Sequence, residues 1–242
     1  MATLRARKRT QALETMAQSA PSASSEHLDK IVKGLRACVP ASSLQAALQR
    51  HQLLVPLHAQ RVPLAAIRQL VTELANEQKE PWLLVRAFSH LNYSPAFLAS
   101  TYLGNASTLR DAINLSQRYF HQNSDLATLD LQQSGSQACV VVTPNPAANA
   151  TEQQLLGALY AVMRTCQGLG LQQASAGIAG LPAITLDDCR KLLRIPVAAL
   201  DGPLRVELRF PALELARALN TPQPNISRLA RRERQLIRSR SD

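Results

Sequence analysis

The sequence predicts an α+β fold, in which an N-terminal helical bundle is followed by a small mixed β-sheet packed with helices. Two observations support this prediction. Between residues 26 and 121 apolar residues recur three and four positions apart, the spacing of one helix face, and after residue 125 they alternate as in strands. The chain has 242 residues, 46% of them hydrophobic, which is enough to bury a sizeable core.

Short amphipathic helices account for the first half of the fold. They are predicted over residues 26–39, 42–51, 63–76, 82–91, 95–103 and 107–121. Pro63 suits the first turn of its helix, because its missing N–H has no partner to lose there. Ser107 is predicted to cap the last of these helices by accepting a hydrogen bond from a free first-turn amide.

The sheet is predicted from a hairpin and from later short strands. Residues 126–131 and 138–143 flank a loop that contains glycine, which is typical of two antiparallel strands. Thr151 is predicted to cap an apolar helix that ends at about Gly168. Gly170, two residues later, suits the left-handed backbone conformation that often follows a helix. The remaining predicted elements are strands over 174–181, 195–200 and 204–210 and helices over 186–193 and 211–219.

The surplus positive charge lies at the two ends of the sequence. The net charge is +10, yet residues 1–10 carry four basic and no acidic residues, and residues 228–242 carry six arginines and two acidic residues. Only +2 remains between these ends, too little to follow a phosphate backbone. We therefore predict a disordered basic tail over residues 1–24, an α+β domain over residues 25–222 and a basic amphipathic helix over residues 223–242.

The last of these segments has an apolar stripe. On a helical wheel its members fall within about 100° while most of the arginines point away, which is typical of a surface helix docked by one face. The stripe consists of Ile226, Leu229, Leu236 and Ile237. It is predicted to pack on its own domain or across a dimer interface; a basic tail for an acidic partner, for DNA phosphates or for a membrane surface is the alternative.

Several classes of protein are disfavoured by what the sequence lacks. No apolar run approaches the roughly 18 residues of a membrane span, so no membrane partner is expected. The four cysteines lie far apart and the five histidines have no metal-ligand spacing, which predicts reduced thiols in a cytoplasmic protein and no metal site. No nucleophile elbow, phosphate loop or dinucleotide fingerprint occurs. We therefore predict no cofactor and no catalytic residues.

Four residues are candidate ligand contacts. Arg118, Tyr119 and His121 combine polar groups at the end of a helix that leads into the sheet, a suitable place for a few convergent polar contacts. Trp82, the only tryptophan, offers a ring for stacking. Structural roles remain open for all four: Arg118 and Tyr119 would then hydrogen bond between helix and sheet, and Trp82 would anchor the core.

Three segments resemble the N-terminal effector domain of an AraC/XylS subgroup of transcription regulators, the domain often called arabinose-binding. They are residues 61–64 (RVPL) with the following helix, residues 102–119 with the run TLRDAINLSQRY, and residues 192–211 with LLRIPV and VELRFP. Gly202, Leu193 and residues 220–222 depart from the pattern of the family.

This resemblance implies a ligand-sensing and dimerisation domain. A small-molecule effector, which we expect to be a polar metabolite, would bind between helices and sheet, and the chain would form a homodimer. Residues 223–242 would be the linker to a helix-turn-helix module of roughly 100 residues. This sequence is expected to lack that module, so DNA would be a partner only through a missing or separate domain. Two alternatives stay open: a stand-alone interaction protein that titrates full-length relatives, and a small-molecule hydrolase or transferase.

Overall fold

A computed structural model describes residues 20–54, 61–180 and 186–219 and confirms the α+β class. Within these ranges the helices are α1 (Ser25–Leu35), α2 (Ala41–Arg50), α3 (Leu64–Glu77), α4 (Leu83–Ser89), α5 (Pro95–Ala99), α6 (Leu109–Asn123), α7 (Glu152–Gly168) and α8 (Leu186–Leu193). Short 3-10 turns cover Tyr102–Asn105, Pro146–Ala148 and Ala212–Ala216. The predicted tail up to residue 19 and the predicted apolar stripe lie outside the described residues.

The main sheet is mixed, as the sequence predicts. Its strands are β3 (Ala127–Ser134), β4 (Gln137–Pro144), β5 (Ser175–Ala179), β6 (Val197–Ala199) and β7 (Arg205–Pro211). They lie in the order β3-β4-β7-β5-β6, and only β5 and β6 are parallel. The predicted hairpin forms with Ala127 opposite Pro144 and Ser134 opposite Gln137.

Helix α7 lies between the helical half and the sheet. Its leucines Leu155, Leu156 and Leu159 are fully buried, and the helix contacts α4 on one side and β4 and β7 on the other. Across the sheet, Val140 lies opposite Leu208, which in turn lies opposite Ala176, so one continuous buried row runs over three strands. Because each such side chain contributes about 1.5–3 kcal/mol when it leaves water, this row and the leucines of α7 stabilise both halves together.

A second, two-stranded sheet was not predicted from the sequence. Strand β1 (Ser22–Ser24), within the segment that the sequence assigns to the tail, pairs antiparallel with β2 (Arg61–Pro63). The Arg61 guanidinium donates to Asp125, which follows α6, at 2.7 Å. The backbone N–H of Ser22 also donates to Asp125, at 2.9 Å. These bonds attach the start of the domain to the junction between α6 and β3.

Threonine caps and a glycine define the ends of the two longest helices. Thr151 caps α7 as predicted, in a reciprocal bond pattern with Gln154. The cap of α6 is Thr108, one residue after the predicted Ser107, because the Thr108 hydroxyl accepts from the amide of Asp111. Beyond α7, Gly170 adopts a φ of +95°, and the amide of Leu171 bonds back to the carbonyl of Cys166.

Two predicted helices are shorter than expected for local reasons. The helix predicted over 95–103 ends at Ala99, since the Ser100 and Thr101 hydroxyls donate to the carbonyls of Phe97 and Leu98 and compete with the helix pattern. The helix predicted over 211–219 is only the 3-10 turn Ala212–Ala216. After it the backbone pairs with the start of α6, where the amide of Leu109 donates to the carbonyl of Arg217.

Gly34 allows α1 and α4 to approach closely, and it gives a direct test of this packing. A Cβ at Gly34 would lie 2.5 Å from the carbonyl oxygen of Ala87. We expect Gly34→Ala to lower the free energy of unfolding by about 1–3 kcal/mol through overpacking, although alanine favours a helix by about 1 kcal/mol. Gly135→Asn is the control, because nothing lies near its Cβ and asparagine tolerates its φ of +55°. Chemical denaturation measures both; equal stability of the two variants would contradict the close approach.

Candidate ligand cavity

A cavity of about 240 Å³ lies where the helical half meets the sheet. Helices α1, α3, α4, α6 and α7 contribute to its wall, together with the segment from Asn92 to Leu103 and strands β3 and β4. Leu129 and Val140 form the sheet side, and Ala158 and Ala161 form the α7 side. A molecule in this cavity therefore touches both layers of the fold.

The wall of the cavity is mainly apolar. Ile31, Ile67, Leu84 and Phe88 bring aliphatic and aromatic surface from three different helices. Such a wall favours a ligand with an apolar body, because a sugar-like molecule would leave many of its hydroxyls without partners. This chemistry departs from the polar metabolite expected from the sequence.

Tyr119 connects two helices beside this cavity. Its hydroxyl accepts a hydrogen bond from Lys30 of α1 and donates one to Glu26 of the same helix. The Lys30 ammonium also lies 3.1 Å from the Glu26 carboxylate and 4.3 Å from the centre of the Tyr119 ring. The Tyr102 ring stacks on Tyr119 with centroids 4.2 Å apart and an angle of 6° between the rings.

The same contacts explain two pKa shifts. Burial raises the pKa of Tyr119, and its hydrogen bond to Glu26 raises this pKa further because the phenol is the donor. Burial alone would raise the pKa of Glu26, but hydrogen bonds from Tyr119 and Lys30 and the charge of Lys30 outweigh it and lower this pKa. At neutral pH Tyr119 is therefore a neutral phenol and Glu26 a carboxylate.

Of the four candidate contacts from the sequence, the structure brings only Tyr119 to the cavity wall. Arg118 and His121 lie on the exposed side of α6, because neighbouring positions on a helix point in different directions. Trp82 precedes α4 and packs half-buried against the core. Ligand binding by these residues stays a prediction. The hydrogen bonds of Tyr119 run to α1 rather than to the sheet.

Sequence reasoning missed other polar groups of the wall, among them His27, Tyr93 and Lys30. The hydroxyl of Tyr93 is buried and has no hydrogen-bond partner among the described residues. Burial raises the pKa of Tyr93, so this hydroxyl keeps its proton at neutral pH. The Arg164 guanidinium lies 6.0 Å above the Tyr93 ring. The composition offered one signal for Tyr93: aromatic residues make up only 4% of the chain, so each of them could have been considered as a candidate ligand contact.

No cluster of three or more His, Cys, Asp or Glu residues with metal-binding potential occurs among the residues described here. Within those same ranges, none of the helices has the length and apolarity to cross a bilayer.

Cys38, Cys139, Cys166 and Cys189 are free thiols. Cys166 lies in the cavity wall, and burial raises its pKa to about 12, so it remains an unreactive thiol.

We expect His27 to make folding sensitive to mild acid. Burial, and then the charge of Lys30, lower its pKa from 6.5 to about 4, while Glu26 acts in the opposite direction. Between these two values the unfolded chain binds a proton that the folded chain rejects, so the free energy of unfolding falls as the pH drops. We expect a loss of at most about 2 kcal/mol between pH 7 and pH 5.

Denaturation at several pH values measures this effect. His27→Gln should remove most of the loss, whereas exposed His90→Gln should leave it intact. The carboxyl groups with lowered pKa values titrate mainly below this window, because their ordinary values are 4.5 and 3.8. An unchanged pH dependence in His27→Gln is the contradicting result.

Comparisons with known proteins agree with this architecture. Residues 39–219 match the family described as the arabinose-binding domain of AraC transcription regulators, N-terminal. No curated protein matches the chain. The crystal structure of the transcriptional regulator CdpR from Pseudomonas aeruginosa is similar, with a TM-score of 0.50 and 16% sequence identity over 74% of this chain. The match spans 57% of the CdpR chain, and at this identity it shows the fold alone. The chain therefore belongs to the family of N-terminal arabinose-binding domains of AraC-type transcription regulators.

Proposed function

We propose that this chain senses a small-molecule effector for an AraC-type regulator and contributes to its dimerisation. The observation that carries the proposal is the cavity between helices and sheet, in a domain of a family that serves regulators. Pockets of this kind, apolar with a few placed polar groups, are the usual sites for small ligands. DNA would be read by a helix-turn-helix module and not by the α+β domain itself.

Occupancy of the cavity can change the conformation of the domain because several elements share its wall. Lys30 and Ile31 of α1 line the cavity, and α1 is attached to α6 through Tyr119. A ligand that contacts α1, α6 and the sheet favours the arrangement in which all three fit it, and the populations of the domain shift accordingly. In a dimer this shift would alter the relation between the two DNA-reading modules.

Binding without catalysis is part of this proposal. His27, Ser116 and Cys166 all line the cavity, but no hydrogen bond among the described residues joins the hydroxyl or the thiol to the imidazole. Nucleophilic catalysis requires such a base to activate the nucleophile. We place the regulator in the cytoplasm, where a sensor of metabolites meets both its ligand and DNA.

Thermal stabilisation by a ligand tests the sensing function. A metabolite library that includes sugars, amino acids and apolar acids should contain one class that raises the melting temperature without being consumed. At a free concentration of 100 Kd, binding contributes about 2.7 kcal/mol, which corresponds to roughly 5–10 °C for a domain of this size.

A variant with a blocked cavity provides the specificity control. Ala161→Phe places a ring in the cavity and should abolish the shift, whereas Ala41→Phe, on an exposed face of α2 that does not line the cavity, should retain it. Turnover of the ligand, or equal shifts in both variants, would contradict sensing at this cavity.

The proposed linker helix over residues 223–242 supplies a test of dimerisation. Leu229→Asp combined with Leu236→Asp should weaken association or stability, because two apolar members of the stripe become charged. Replacing Arg231, Arg234 and Arg238 with glutamine should change little, since exposed charges contribute about 0–1 kcal/mol. Light scattering after size-exclusion chromatography measures the mass of each variant. A parent-like aspartate pair together with a defective glutamine set would identify an electrostatic tail instead.

A further inference from the structure

The aromatic residues of this chain are concentrated around the cavity. The sequence contains four phenylalanines, four tyrosines and one tryptophan. Six of these nine line the cavity wall, namely Phe88, Tyr93, Phe97, Tyr102, Tyr119 and Phe120. A purely structural core has no need to collect its rings around an open cavity, so this concentration indicates a ligand that rings recognise.

Two of these rings remain partly open to solvent. Phe97 is 40% exposed and Tyr102 is 36% exposed, which is unusual for large apolar side chains in this domain. Tyr102 already lies parallel to Tyr119, so flat aromatic surface is present at the edge of the cavity. Aromatic rings prefer offset stacking or edge contacts with other rings, and a planar ring system could add to this pair in the same way.

The hydroxyl of Tyr93 supplies a polar requirement. It is buried, it lies on a residue of the cavity wall, and it has no partner in the described part of the chain. An unpaired buried hydroxyl lowers the stability of a fold and is uncommon in proteins. A ligand that brings a hydrogen-bond acceptor would satisfy it.

The charges around the cavity favour an anionic acceptor. Lys30 and Lys33 line the cavity, whereas no Asp or Glu among the described residues belongs to its wall. Glu26 balances the charge of Lys30, but Lys33 is exposed and forms no ion pair within the described ranges. The net charge of the wall is therefore positive, which attracts an anion and disfavours a cationic ligand.

We propose that the effector of this cavity is a planar aromatic acid, with its ring system among the six aromatic side chains and its anionic group accepting a hydrogen bond from Tyr93. This inference rests on the proposed sensing function and narrows it to one chemical class. An aromatic acid differs from the polar metabolite that the sequence suggests, and a sugar does not belong to this chemical class.

Matched pairs of probes test the ring and the acceptor separately. Benzoate and naphthoate are compared with their saturated counterparts, cyclohexanecarboxylate and decalin carboxylate, and L-arabinose serves as the polar comparator. Calorimetric titration of the full chain measures each Kd. We expect at least one aromatic acid to bind with a measurable Kd. The Kd of its non-aromatic counterpart should be several-fold higher, because ring stacking is lost.

Tyr93→Phe tests the acceptor without removing a ring. The variant should bind the aromatic acid with about tenfold higher Kd, as expected for loss of one hydrogen bond to a charged group. It should leave the fold intact. Ser43→Ala is the control, since it removes a hydroxyl of α2 that does not line the cavity, and it should bind like the parent. Binding of an acid that is unaffected by Tyr93→Phe, or equal affinity for aromatic and saturated acids, overturns the inference.

The outcomes distinguish this inference from the proposed function. If L-arabinose or another sugar binds and Ala161→Phe abolishes its binding, the cavity is a sensor site but the ligand class is wrong. If neither the aromatic acids nor any member of the metabolite library binds in a way that Ala161→Phe abolishes, both proposals fail.

Discussion

The burial of helix α7 on both of its sides is the constraint on which the rest of the structure depends. Its leucines leave water completely between α4 and the strands β4 and β7. At Gly157 helix α7 comes so close to helix α4 that a Cβ would lie 2.9 Å from the Phe88 ring. Helix α7 thus joins the helical half to the sheet, and its residues Ala158 and Ala161 line the cavity between them.

The Tyr119 cluster gives this cavity a polar connection between α1 and α6. Glu26 and Lys30 are one helical turn apart on α1, so both reach the same phenol. Their exposed charges contribute little to stability by themselves, but the neutral phenol between them is half-buried beside Tyr102. The cluster therefore positions α1 against the cavity more than it stabilises the fold.

Much of the fold could be predicted from the sequence because regular patterns determine it. Alternation marks β3 and β4, and the Thr151 cap with Gly170 marks both ends of α7. The ribbon of β1 and β2 could not be predicted, since strands of three residues are too short to show a period. The early end of the helix predicted over 211–219 could not be predicted either. The side chain of Arg217 donates there to the carbonyls of Leu169 and Gly170, which lie far away in sequence.

The site was less predictable than the fold for the same physical reason. Tyr119 was found because it lies near the end of a clear amphipathic helix, but its neighbour Arg118 lies on the opposite, exposed side of that helix. Lys30 comes from a helix about ninety residues earlier, and only tertiary packing joins it to Tyr119. Tyr93 lies between helices, in a segment whose turn residues conceal the burial of its hydroxyl.

The methyl NMR spectrum of the domain shows whether the effector binds inside the cavity between helices and sheet. With isotope-labelled alanine methyl groups, a stabilising ligand is added stepwise to the full chain. For binding in the cavity we expect saturable shifts of Ala158 and Ala161, which line the cavity, and an unchanged signal of Ala41, which is exposed on α2. Shifts confined to methyl groups outside the wall, with Ala158 and Ala161 unchanged at saturation, would contradict it.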